Sequence, residues 1–247
     1  MDTVLPVLLV ALVMMTTEML APGRVFAMVS SWRRRAIVLN LFQAISVFIG
    51  AYTWERWLPQ STAFDLVDYS LTFQVMLGYF AITFIYYWWH RARHEVPALW
   101  RWLHQIHHSP AKLEILTSFY KHPLEILTNS LLSFVILNCL LGLSPEAMGL
   151  SILITGFAEL FYHWNVKTPR WLGYLIQRPE SHCVHHQRGV HRNNYSDLPL
   201  WDMLFGTFDN PRHQPSDCGF DEIRERQLFA MLVGKNVNTR KGVPNET

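Results

Sequence analysis

The chain has 247 residues, half of them hydrophobic and only 16% charged, with a formal net charge of +2. The charged fraction is well below the roughly 25% of an ordinary soluble domain, which excludes a disordered chain and a charge-rich soluble surface. So small a net charge leaves no nucleic-acid footprint. Ten Trp, nine Tyr and fifteen Phe suit a membrane interface, and the class is membrane protein.

A bilayer core takes about 20 mostly apolar residues per crossing helix. The first such stretch is 3–21, which follows Met-Asp without the basic leader of a signal peptide and is expected to stay in the mature protein. The second is 36–52, flanked by Trp54 and Trp57. The third, 70–89, ends in Tyr86, Tyr87, Trp88 and Trp89. Two more, 124–141 and 147–163, are separated only by Gly-Leu-Ser-Pro-Glu and form a helical hairpin that crosses or dips into the bilayer. The expected fold is all-α, with about five apolar membrane segments and a helical cap.

Basic residues orient it. Arg24, Arg33, Arg34 and Arg35 fall between the first two segments, and Arg91, Arg93 and Arg101 follow the third. The positive-inside rule puts both groups, and residues 164–247, in the cytoplasm. That corresponds to a bacterial inner membrane or a eukaryotic endoplasmic reticulum. The expected organisation is N-terminal helices 1–69, a catalytic unit 70–215 and a tail 216–247, its last dozen residues mobile. Cys139, Cys183 and Cys218 form no C-x-x-C pair and predict no disulfide framework.

Chemistry concentrates in the histidines. There are twelve, none before His90. Three patterns stand out: His90-x-x-x-His94, His104-x-x-His107-His108 and His182-x-x-His185-His186. Spacings of three and four bring side chains together on one helix face, close enough to share a metal. Adjacent positions diverge by about 100°, so a triplet can serve two ions. At a histidine frequency of about 5%, a given His is followed by x-x-His-His roughly once in 400 chances, and two such triplets beside a pair are not coincidence. Eight imidazoles exceed the need of one ion with an open position and suit two. The absence of Cys ligands disfavours structural zinc, and no H-E-x-x-H supplies a zinc peptidase's general base. Imidazole suits iron, copper, zinc and nickel alike, so ligand type does not choose among them.

Taken in this order, the three histidine boxes resemble those of the fatty acid hydroxylase/sterol desaturase superfamily of membrane di-iron enzymes. The resemblance spans about residues 75–210. It includes Tyr86-Tyr87-Trp88, Leu99-Trp100, His122-Pro123-Leu124-Glu125, Asn194-Tyr195 and Trp201-Asp202-Met203-Leu204-Phe205-Gly206-Thr207, and is nearest to bacterial sterol-desaturase-like proteins and the alkylglycerol monooxygenase branch. It implies that His90, His94, His104, His107, His108, His182, His185 and His186 hold two iron ions. Some members carry a further H-x-x-x-H before the last box. Here that stretch runs from Glu159 to His163, which makes His163 a ninth ligand and Glu159 a carboxylate ligand, an outer acceptor or a helix-packing group. His122 is a candidate to orient a ligand or to serve helix packing. Asn194 and Asp202 are candidate acceptors for ligand N–H groups. His191 and His213, in polar stretches, read as surface residues. Trp201, Phe205 and Phe208 are expected to hold the cap against the bilayer.

The resemblance further implies O2 and two electrons from a separate ferredoxin-like or b-type cytochrome donor, used to hydroxylate, in preference to desaturating, a lipid C–H bond. The rival readings are a histidine-rich metal transporter or binding protein and a zinc-dependent membrane hydrolase. Transport sites lie near the bilayer midplane, whereas these boxes fall at helix ends and beyond.

Overall fold

The computed structural model describes residues 4–26, 29–58, 61–215 and 217–238. Five long helices come first to notice: α1 (Val4–Leu20), α2 (Trp32–Trp57), α3 (Leu71–Glu95), α6 (Pro123–Phe134, continued to Leu140 by π-helical turns) and α7 (Pro145–His163). Between α3 and α6 lie α4 (Pro97–Leu99), a π-helical turn Trp100–His104 and α5 (Ile115–Ser118). After α7 come a 3-10 turn Arg170–Tyr174, α8 (Pro179–His185), α9 (Pro199–Leu204), α10 (Glu222–Glu225) and α11 (Leu228–Leu232). Among the described residues there is no β-strand, only the isolated bridge Gln187–Cys218. The all-α expectation holds.

Local chemistry sets the helix starts. The Ser70 hydroxyl accepts from the Phe73 N–H and begins α3, and Ser144 does the same for α7 through Ala147. Pro123, Pro145, Pro179 and Pro199 open α6, α7, α8 and α9. At that position the missing N–H costs nothing and the fixed φ suits a helix.

In the long-helix layer α3 packs on α7, and α2 on α6. The first pair approaches closely because position 78 is Gly: a Cβ there would stand 2.6 Å from the Ser151 hydroxyl. Ile82, Ile136, Leu137, Leu141, Leu143 and Ala147 form the core of that layer. Outward, Leu12, Phe48 and Met76 are 60–78% exposed, a surface suited to lipid rather than water. Among the described residues α2, α3 and Pro123–Leu140 are long and apolar enough to cross a membrane. This is a membrane protein.

The remaining segments pack against the long helices. Val29, Trp32, Ala36 and Leu39 pack with Ile106, Tyr120, Phe220 and Met231, so the C-terminal segment is built into the start of α2. Val237 joins this core; residues 239–247 of the expected tail lie outside the described residues. α9 docks on α3, where Trp201 meets Phe80 and Phe84 at 4.7 and 4.9 Å between ring centroids and its indole N–H donates to the Thr83 hydroxyl at 3.0 Å. Phe205 packs on Tyr87 and Trp88, whereas Phe208 packs on Tyr174. α1 is fastened by Glu18, whose carboxylate accepts from the N–H groups of Ile115 and Asn165.

Candidate metal centre

Nine histidines converge in two groups. His90, His94, His104, His108 and His185 form one; His107, His163, His182 and His186 form the other. Within each group every candidate ligand nitrogen lies within 4.8 Å of the rest. The groups adjoin: the His108 and His186 rings stack with centroids 4.1 Å apart.

The division follows helix geometry. Four residues advance about 400°, or 40° past a full turn, whereas three fall about 60° short. Members four apart accordingly share a group: His90 with His94, His104 with His108, His182 with His186. The member three along from the first, His107 or His185, turns into the other group. Each triplet thus serves both.

The second ring nitrogens are held from outside. In the five-membered group, His90 Nδ1–H donates to the Tyr195 carbonyl at 2.7 Å and His185 Nδ1–H to the Asn193 carbonyl at 2.6 Å. His94 is turned to the carbonyl of His191. His104 Nδ1 meets the Glu125 carboxylate at 3.0 Å, and Arg93 pairs with the same carboxylate. In the four-membered group, His163 Nδ1–H donates to the Glu159 carbonyl at 2.8 Å, and His182 Nδ1 lies 2.7 Å from the Gln177 side-chain amide.

These contacts test whether a metal fits. A carbonyl or carboxylate only accepts, so the ring nitrogen facing it carries the proton, and the other nitrogen of a neutral ring presents a bare lone pair. His90 Nε2 and His104 Nε2, both bare by this argument, lie 2.9 Å apart, and His108 Nε2 is 3.1 Å from His104 Nε2. Lone pairs that close repel unless a cation lies between them. The rings stay neutral: burial holds the pKa values of His107, His108, His182 and His186 well below that of an ordinary imidazole and brings His185 down to about 3. An all-imidazole set of this kind suits a divalent transition metal.

His122 and Glu159 lie outside both groups. His122 caps α6, its Nδ1 accepting from the Leu124 N–H at 3.1 Å, and its other ring nitrogen meets the Leu232 carbonyl. The Glu159 carboxylate pairs with Lys121. Among the described residues neither Asn194 nor Asp202 hydrogen-bonds a ligand ring. Asp202 accepts from the N–H groups of Tyr195 and Ser196, and Asn194 bonds Ser181 and Asp209. They hold the 191–195 segment that meets the rings. His191 is not the surface residue its polar setting predicts: its Nδ1 is 3.2 Å from His108 Nδ1 and its ring packs on Trp100 and Phe220. His213 is exposed. The run His191-Arg-Asn-Asn-Tyr195, rich in residues that tolerate left-handed φ, was the available signal.

A cavity of about 510 Å³ runs between α2, α3, α6 and α7, lined by Trp54, Tyr86, Asn129 and Ile152 among others. Gly149 and Gly156 face it with nothing within 4 Å of where a Cβ would stand. Lys121 and Glu159 line its other end, where the Glu159 carbonyl holds His163.

Comparison with known proteins agrees with this architecture. Over 171 residues the chain is 31% identical to an ornithine lipid hydroxylase of Rhizobium tropici, covering 67% of this chain and 51% of that protein. It is 28% identical over 173 residues to the alkylglycerol monooxygenase of Homo sapiens (68% and 37%). It is 32% identical over 177 residues to a fatty acid hydroxylase of a Lecanicillium species (65% and 45%). The chain thus spans about half, or less, of the length of these curated relatives. No solved structure matches it. The fatty acid hydroxylase family model matches residues 75–207, more than half of the chain and all nine converging histidines, and the chain belongs to the fatty acid hydroxylase family.

Proposed function

We propose that this protein is an O2-dependent membrane oxidoreductase that hydroxylates a C–H bond of a lipid, using two iron ions and electrons from an external ferredoxin-like or b-type cytochrome donor. The observation that carries the reading is the convergence of nine histidines into two adjacent groups, beside a cavity whose lining includes Glu159, the residue whose carbonyl holds His163. His90, His94, His104, His108 and His185 would hold one ion, and His107, His163, His182 and His186 the other. Iron bound there supplies the O2 chemistry. The chain's own residues do the rest. Carbonyls and Glu125 aim the rings; α2, α3, α6 and α7 wall the lipid from water; Lys121 and Glu159 form a polar stop beside His163.

Relatives named for hydroxylating ornithine lipids and fatty acids and for oxygenating alkylglycerols support hydroxylation over desaturation. The lipid tail would lie in the cavity, with the gap at Gly149 and Gly156 giving it room. The arginines at the start of α2 and at and beyond the end of α3 favour a cytoplasmic metal centre, with α6 and α7 a hairpin that crosses or dips into the bilayer. The catalytic unit is residues 70–215. A metal carrier is disfavoured because four of the nine ligand rings are turned to backbone carbonyls and the boxes fall at helix ends and beyond, whereas transport sites lie near the midplane.

The test is the metal content of detergent-purified protein, beside a His107→Ala/His185→Ala variant. Purified protein would then be given O2, a reductant and a panel of alkylglycerol, aminolipid and fatty acyl substrates. About two irons per chain, lost in the variant, with hydroxylated product from one lipid class, is the expected result. No metal after reconstitution with iron would overturn the reading.

A further inference from the structure

The two metal groups are supported unequally, and the difference traces to one strap of backbone. Residues 191–195 follow the third histidine box and contain three non-glycine residues at positive φ: His191 at 43°, Asn193 at 70° and Asn194 at 50°. Left-handed φ is uncommon outside glycine and, where it clusters, calls for a functional reason. Here it turns alternate carbonyls the same way. Those of His191, Asn193 and Tyr195 face His94, His185 and His90 respectively. A fourth ring, His108, is met by the His191 side chain itself. Glu125 serves the fifth, His104. Every ring of the five-membered group therefore has an outer partner, four of them on five consecutive residues.

The strap is itself held down. The Asn194 amide donates to the Ser181 and Asp209 carbonyls, both at 2.8 Å, and Asp202 accepts from the next two N–H groups. The four-membered group is poorer. His163 has a carbonyl and His182 an amide, but Nδ1 of His107 and Nδ1 of His186 are buried with no hydrogen-bond partner among the described residues.

We propose that the 191–195 strap makes the five-histidine group the tighter metal site, filled first, with His191 as the positioning residue for His108, and the four-histidine group the weaker site, filled second. This rests on the metal-centre reading above. An outer partner fixes a ligand's tautomer and orientation and raises its basicity, and losing one typically weakens metal binding 10–100-fold. Two rings without partners against none therefore predict at least a tenfold difference between the sites.

The experiment is a Co(II) titration of the full chain, stripped of metal in detergent, against a chromogenic competing chelator, with the cobalt absorption bands recorded at each step. The wild type should bind in two phases, the first at least tenfold tighter. His163→Ala should lose the second phase and keep the first; His94→Ala should weaken the first. His191→Gly retains the backbone carbonyl and tolerates the φ but removes the ring, and should weaken the first phase 10–100-fold while leaving the second within twofold. His191→Asn, with an acceptor at the same branch position, should restore most of the loss and the wild-type bands. Two equivalents bound with equal affinity would overturn the proposal, as would loss of the tighter phase in His163→Ala or an unchanged first phase in His191→Gly. If His191→Gly does not fold, the ligand variants alone decide the order. Failure of the wild type to bind cobalt at all would instead remove the metal-centre reading.

Discussion

Glu125 offers a decisive perturbation because two different energies meet on one carboxylate. It lies on α6 with its side chain fully buried, paired with the equally buried Arg93 of α3 and with His104 Nδ1. In Glu125→Ala the Arg93 guanidinium stays buried without its counter-charge, a loss of about 3–5 kcal/mol for a broken buried pair. Replacing both partners with apolar residues of similar size, as in Glu125→Leu/Arg93→Met, removes the stranded charge and should recover most of that stability. The same double variant still lacks the acceptor for His104, so metal binding should remain 10–100-fold weaker. Glu125→Gln keeps a side-chain oxygen for His104 and should bind metal better than either. Unfolding in detergent, followed by circular dichroism on metal-free protein, reads the first quantity, and a chelator competition reads the second. A Glu125→Ala loss below about 1 kcal/mol, or a double variant no more stable than the single one, would refute the account of Glu125 as the counter-charge of Arg93.

Two other outcomes are expected. His185, with its pKa lowered to about 3 by burial, binds its proton more weakly folded than unfolded. The metal-free protein should therefore keep this contribution above about pH 6.5 and lose about 1.4 kcal/mol per pH unit from that ring as pH falls towards 3; a metal-free stability that is flat over pH 6.5–4 would contradict it. Gly156→Leu fills open space on the cavity face of α7 one turn before Glu159. It should leave metal content at the wild-type level while reducing turnover of long-chain lipids at least tenfold, and unchanged product yield across chain lengths would remove the cavity from the substrate path.

Much of this architecture is legible in the residues, and the illegible part has a common cause. Each apolar stretch read from composition falls on a helix, and three of these helices are long and apolar enough to cross a membrane, where lipid leaves the backbone no alternative. Box spacing announces the metal groups because a 3.6-residue turn converts offsets of three and four into directions. Nothing in the spacing reveals which ring joins which group across helices; that depends on how α3, α7 and α8 face one another. The polar setting of His191 suggested the surface, but its backbone conformation turns it inward against His108. Most outer partners of the rings are main-chain carbonyls, which every residue possesses and no side-chain pattern marks. Asn194 and Asp202 are visible as polar residues near the third box, yet their service to the rings is indirect, through the strap they pin.

The alternation of the triplets also imposes a timetable on the chain as it is made. A ribosome that has reached His163 has already supplied His90, His94, His104 and His108, four of the five nitrogens of one group, but only His107 and His163, two of the four of the other. The missing three arrive together, His182 and His185 on α8, a seven-residue helix too short to persist alone in water, and His186 as its C-cap. That single late helix closes both circles at once, so the centre can be half assembled during synthesis but finished only when the chain has emerged from the membrane segments and folded back across their ends.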